Sequence, residues 1–200
     1  MTPAALPRRR LGGLDAPAIG YGAMELGGAY HPPADIDDAV RALRAAVDAG
    51  CTFVDTADTY GPSERQIGAL LAAGVPRAQV QISTKFGLRP FPDAPTRDLP
   101  VPYGAGTFSI DASPERVRPY VERSLERLGT DAVDLCSPHF PDPGVPIEDT
   151  VGALADVQAA GLVVHLGLSN PTLDDLVRAQ AIATIDAVQV EWSMWHPIDA

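Results

Sequence analysis

The chain is nearly devoid of lysine. Fifteen residues are basic, and all but Lys85 are arginine. The 26 acidic residues outnumber them and leave a net charge of −11. That balance excludes the basic stripes with which nucleic-acid binders neutralise phosphates, and it suits a chain kept apart in solution by self-repulsion. Cysteine is scarce too. Cys51 and Cys136 lie far apart without metal-like spacing, which points to free thiols in a reducing cytoplasm. The histidines at 31, 139, 165 and 196 are scattered, so no metal site is expected. No run approaches the ~18 continuous apolar residues of a membrane span. The stretch after Arg8–Arg10, LGGLDAPAIG, is too polar for a signal peptide.

What is present is hydrophobic patterning. Apolar content of 46% over 200 residues is enough for one substantial core, and residues 1–200 read as one domain. CTFVD (51–55), VQIST (80–84), AVDLC (132–136), VVHLGLS (163–169) and AVQVE (187–191) read as short buried strands, with AIGYGA (18–23) an earlier one. Amphipathic helices alternate with them. Ile36, Val40, Leu43 and Val47 share a face that Gly50 stops. Ser63 and Gln66 form a capping box, and Ser113-Pro114-Glu115 opens a helix with proline at its first position. Residues 147–160 form a fourth helix. Thr172 opens a fifth, with Leu173, Leu176 and Val177 facing inward. Pro119 falls inside the third helix, where a kink is expected. The Pro- and Gly-rich segment 88–112 is long enough to be a functional loop.

This β-α repetition implies a parallel sheet with right-handed crossovers. A doubly wound sheet and a (β/α)8 barrel both satisfy it. Gly20, Gly22, Gly27 and Gly28 lack the spacing of a dinucleotide fingerprint, which speaks against the first. The polar residues are informative as a set. Asp55, Lys85, His139, Ser169 with Asn170, and Gln189 each stand at or near the end of successive strands. In a barrel those ends converge on the face where active sites are built.

Tyr60 follows Asp55 by five residues, on a short loop that leans over the same face. A phenol holds its proton to about pH 10, but a nearby ammonium stabilises the phenolate. Lysine, a compact charge on a flexible stem, suits that task better than arginine with its planar fork. Chance in an arginine-biased sequence is the other explanation of the lone lysine.

These residues resemble the aldo-keto reductase family. The matching motifs are GCTFVDTADTYGPSERQIG (50–68), STKFG (83–87), SLERLGTDAVDLCSPH (124–139) and AVQVEWSMW (187–195). The resemblance implies a (β/α)8 barrel, incomplete here at six β/α units. It also implies NADPH as cofactor, with NADH not excluded, and a small aldehyde or ketone as substrate. By the same resemblance Asp55, Tyr60, Lys85 and His139 form the catalytic set, with Tyr60 the proton donor. Ser169, Asn170 and Gln189 would hold the nicotinamide carboxamide, and Arg8–Pro17 would be a hairpin plugging the barrel bottom. Met24, Tyr30 and Trp195 are candidates for lining the substrate pocket, or for plain packing.

The chain departs from the family pattern at Cys136-Ser137-Pro138, where an aromatic is usual. Pro138 removes a backbone donor beside His139 and so bears on how that ring is aimed. Two β/α units expected from the family pattern are absent from the 200 residues. Six strands leave open parallel edges, which favours a homo-oligomer or a complementing chain. A non-catalytic relative serving as a binding or regulatory subunit, or a cofactor-free acid–base enzyme, is the alternative function.

Overall fold

The computed structural model describes residues 6–88, 91–93, 97–100, 107–192 and 194. Six parallel strands form the central sheet: β3 (Tyr21–Gly22), β4 (Phe53–Asp55), β5 (Gln81–Phe86), β8 (Val133–Pro138), β9 (Val163–Ser169) and β10 (Ala187–Gln189). They lie side by side in chain order. Helices α1 (Ile36–Asp48), α2 (Ser63–Ala72), α3 (Pro114–Leu128), α4 (Ile147–Ala159) and α5 (Leu173–Gln180) connect them. Between helices and sheet lies a core that includes Leu43, Val54, Ile67, Ile82, Leu154 and Leu166.

The sheet curls. Strands four places apart in a flat sheet are separated by about 19 Å. Across four places, Gln189 of β10 nevertheless donates to Asp55 Oδ2 of β4 at 3.2 Å. The curled wall encloses a cavity of about 390 Å³ lined by Phe53, Ser83, Leu135, Leu168 and Gln189, with Leu11 below. Leu11 comes from the hairpin β1 (Arg8–Leu11) and β2 (Leu14–Pro17), which sits beneath the strands as expected. Gly13 N–H donates to Asp186 Oδ1 at 2.7 Å and Gln81 Nε2 to Asp15 O at 2.7 Å, tying the hairpin to the starts of β10 and β5. A curled sheet of six successive parallel strands under five helices is an incomplete (β/α) barrel.

Several helix expectations are met. Ser113 caps α3 with Pro114 first in the helix, and Thr172 caps α5 in a full capping box with Asp175. Pro119 does not interrupt α3, whose buried Val117, Tyr120, Val121 and Leu125 hold it through the lost hydrogen bond.

Others are corrected. Ser63 and Gln66 form no capping box; Pro62 is the N-cap, without a side-chain bond. The Ser63 hydroxyl instead meets Thr56 Oγ1 at 2.7 Å. The buried Gln66 amide donates to Leu26 O at 3.1 Å and Ala34 O at 2.7 Å, bracing the loop after β3. Leu173 and Val177 of α5 are 78% and 64% exposed rather than inward. They form an outer flank, while Leu176 and Ala179 take the sheet side. Ile36 is likewise exposed, leaving Ala39 and Leu43 as the buried face of α1. Within the 88–112 segment, β6 (Arg97–Pro100) and β7 (Thr107–Ile110) pair as an antiparallel hairpin.

Gln66→Leu is expected to lower stability by about 1–3 kcal/mol, since it strands the Ala34 carbonyl. Urea unfolding checks this, and an unchanged midpoint would mean that the bracing bonds carry no weight.

Candidate active site

The strand ends place the site. Asp55 closes β4 opposite Ser83, so Lys85 lies one pleat further along β5 on the same side. The Lys85 ammonium donates to Asp55 Oδ1 at 2.8 Å, to Oδ2 at 2.7 Å and to Thr56 O at 2.8 Å. Its side chain is 2% exposed. An ammonium buried this far must have its donors satisfied, and its three contacts do so.

Tyr60 stands on the loop between β4 and α2. That loop is stitched to β5 by Thr56 N–H to Ser83 O and Asp58 N–H to Lys85 O, at 2.8 and 2.9 Å. Beneath it, Arg123 donates to Asp58 Oδ2 at 3.0 Å and Arg127 to Glu64 Oε2 at 3.1 Å. Burial pushes the Asp58 carboxyl up to about 7, with Arg123 opposing. Two glycines then set the height of the tyrosine. A Cβ on Gly27 would fall 2.1 Å from Tyr60 O, and one on Gly61, at φ +51°, 2.4 Å from Gly27 O. Only without those carbons can the two loops lie backbone to backbone.

The Lys85 ammonium lies 5.3 Å from the Tyr60 ring centroid, and the Tyr60 hydroxyl lies 3.5 Å from His139 Nε2. Pro138 does not misdirect the histidine. His139 N–H donates to Phe86 O at 2.8 Å, so the β5–β8 ladder continues past the proline. The imidazole is buried against Phe140, which stacks on it at 5.6 Å and 10°. Burial, with help from the Lys85 charge, pushes its pKa down to about 3. His139 is thus neutral at ordinary pH. Burial pushes the neighbouring Cys136 thiol up to about 12, leaving it inert.

Ser169, Asn170 and Gln189 gather beside this group. Asn170 takes a left-handed φ of +54°; its backbone N–H donates to Gln189 O at 2.8 Å, and its side-chain amide donates to His139 O at 3.2 Å and Ser169 Oγ at 3.1 Å. Above Tyr60 and His139 opens a cavity of about 680 Å³, walled by Met24, Leu88, Phe108 and Phe140, with Tyr30 and Glu191 at its sides. Met24 and Tyr30 both line this cavity, although Tyr30 is 71% exposed. Trp195 lies outside the described residues. Phe108 and Phe140 were not singled out from the sequence. The available signals were the long 88–112 loop for the first and adjacency to His139 for the second.

Residues 18–200 match the Aldo/keto reductase family. The chain belongs to the aldo-keto reductase family. Among its relatives is a protein named probable aldo-keto reductase 1 of Glycine max, 39% identical over 98% of this chain and 54% of its own length. Among solved structures, the glycerol dehydrogenase of Gluconobacter oxydans superposes with a TM-score of 0.76 at 27% identity, covering 95% of this chain and 56% of that one. An aldo-keto reductase of Bacillus halodurans, in its holo form, gives 0.76 at 25% identity, covering 94% and 58%. The chain spans little more than half the length of each. Among the described residues no helix is long and apolar enough to cross a membrane, and no cluster of side chains could hold a metal ion.

The unfolded chain takes up a proton on histidine near pH 6.5 and the folded chain on His139 only near 3. Stability is therefore fully present above 6.5 and falls as pH drops through that window. The His139 ring resonances are expected to stay constant from about pH 8 down to about pH 5 in NMR titration. A midpoint near 6.5 would show that the ring is solvated rather than buried.

Proposed function

We propose that this aldo-keto reductase reduces an aldehyde or ketone to the alcohol, using NADPH, with Tyr60 as proton donor. The observation that carries this reading is the meeting of the Tyr60 hydroxyl and His139 Nε2 at one cavity, with the buried Lys85–Asp55 pair against the Tyr60 ring. When bound, a reduced nicotinamide would supply hydride chemistry at the carbonyl carbon. The donor set fits that group: one hydroxyl and two amides, from Ser169, Asn170 and Gln189, offer the donors and acceptors a carboxamide needs. These three residues do not distinguish NADPH from NADH.

The protein's own part is the proton and the charge. As the carbonyl oxygen becomes an alkoxide, the Tyr60 O–H gives it the proton and the alcohol is complete. The phenolate left behind is stabilised by the Lys85 ammonium, which Asp55 holds in place. His139, neutral, can donate a ring N–H to the substrate oxygen and orient it without itself losing a proton. Asp55, Tyr60, Lys85 and His139 are the catalytic residues on this reading. Residues 1–200 act as one unit in it.

We further place the chain in the cytoplasm, where Cys51 and Cys136 stay free as they are here. Among the described residues β10 stands at an edge of the sheet, and Val188, Trp192 and Met194 around it are exposed. Such an edge favours pairing with a second copy or a complementing chain. A monodisperse monomer in solution scattering would count against that assembly.

Tyr60→Phe is expected to cut turnover of an aldehyde by roughly 10²–10⁴-fold. NADPH affinity, read by fluorescence titration, should stay close to wild type. Lys85→Arg should also lose most turnover despite keeping its charge, because a planar guanidinium cannot fit the three-acceptor nest of Asp55 and Thr56. Wild-type rates in either variant would refute the assigned roles. A folded wild-type chain that binds no NADPH would favour instead a binding or regulatory relative.

A further inference from the structure

The hairpin β6–β7 presents one face to the barrel. Opposed residues of an antiparallel pair share a face, and the register sets Arg97 against Ile110 and Leu99 against Phe108. Burial agrees. Ile110 is buried and Arg97, Leu99 and Phe108 are half-buried, while Asp98, Thr107 and Ser109 are exposed. Phe108 thereby reaches the cavity above His139.

One carboxylate holds both legs of this hairpin. The Asp142 side chain is 0% exposed, and its Oδ2 accepts from Arg97 Nη1 at 3.0 Å and from Ala112 N–H at 3.0 Å. Its Oδ1 accepts from Gly144 N–H at 2.9 Å, within the loop that follows His139. Arg97 opens the hairpin and Ala112 follows it, so the carboxylate clamps the structure at its base. The loop is shaped for that contact, since a Cβ on Gly144 would fall 1.9 Å from Arg97 Nε. Thr150 secures the exit leg by donating to Ala112 O at 2.7 Å. A carboxylate so fully buried is tolerated only because both oxygens are bonded. The clamp is therefore strongly determined.

The clamped hairpin completes a wall. Phe108 lies 6.4 Å from Phe140 at 32°, and Phe140 stacks on His139. The only formally charged side chain among the described residues lining this cavity is Glu191. An anionic substrate would meet a like charge there and no cation, whereas a flat neutral ring would lie along three rings.

We propose that Asp142 is a positioning residue that latches the hairpin so that Phe108 closes this aromatic wall, and that the wall selects neutral carbonyl compounds with a planar aromatic body. The proposal rests on the reductase reading for its turnover test but not for its binding test. In steady state, wild type should prefer 2-naphthaldehyde to 4-carboxybenzaldehyde. Asp142→Asn and Phe108→Ala should each raise the KM for 2-naphthaldehyde about tenfold, with kcat nearly unchanged. Their kcat/KM for propanal, which is too small to need the wall, should stay within about threefold of wild type. Arg97→Met opens the same latch from the other side and replaces Asp142→Asn should that variant fail to fold by circular dichroism. Equal losses on both aldehydes, or none, would overturn the proposal.

Calorimetric titration with 2-naphthaldehyde separates the two readings. Binding that survives Tyr60→Phe but weakens about tenfold in Asp142→Asn supports the latch even if no variant turns over. Binding unaffected by Asp142→Asn overturns it, whatever the reductase assays show.

Discussion

The buried Lys85 ammonium is the constraint around which the upper face is arranged. Removing a charge from water is costly, and the cost is met only by close, correctly aimed acceptors. Asp55 and the Thr56 carbonyl supply them, which obliges β4 and β5 to end together and the following loop to turn back over the sheet. Tyr60 rides on that loop. Its height is limited by Gly27 and Gly61, and its hydroxyl is brought toward His139 by the same folding-back. Losing either partner of the ion pair would leave the other buried and unpaired, so the arrangement is rigid as well as reactive.

Curvature supplies what no single strand could. Gln189 and Asp55 belong to strands four places apart and meet only because the sheet bends through part of a barrel. The bend gathers hydroxyl and amide groups of β9 and β10 beside the acid–base cluster of β4, β5 and β8. Among the described residues β10 stands at one edge of the sheet, and the outer flank of α5 is exposed. Adjacent parallel pairs keep the strand ends in register, because each is placed by its neighbour.

Legibility varied with the range of the interaction. Asp55, Lys85 and His139 could be read because each stands at or near the end of a short apolar run that has the length of a strand. Ser113-Pro114 and Thr172 could be read as helix starts because capping acts within three residues. Ser63 and Gln66 have the same local signature, yet Gln66 turns to Leu26 and Ala34, some thirty to forty residues earlier in the chain. Leu173 and Val177 share the stripe of Leu176, but a helix with one packed side cannot bury all of it. The hairpin at 97–110 escaped notice because its prolines and glycines mask the alternation that Arg97, Leu99, Phe108 and Ile110 display once paired.

The sequence by itself determined the alternation of strands and helices, the polar groups at the strand ends, and the one position where an ammonium replaces a guanidinium. These follow from periodicity and side-chain chemistry, which are properties of neighbouring residues. Only the tertiary structure decided that the β5–β8 ladder continues past Pro138 to His139, that burial keeps its ring neutral, and that Asp142 holds the base of the hairpin that carries Phe108. Each of those depends on what packs against a group from distant parts of the chain, and desolvation and hydrogen-bond partners exist only once that packing has formed.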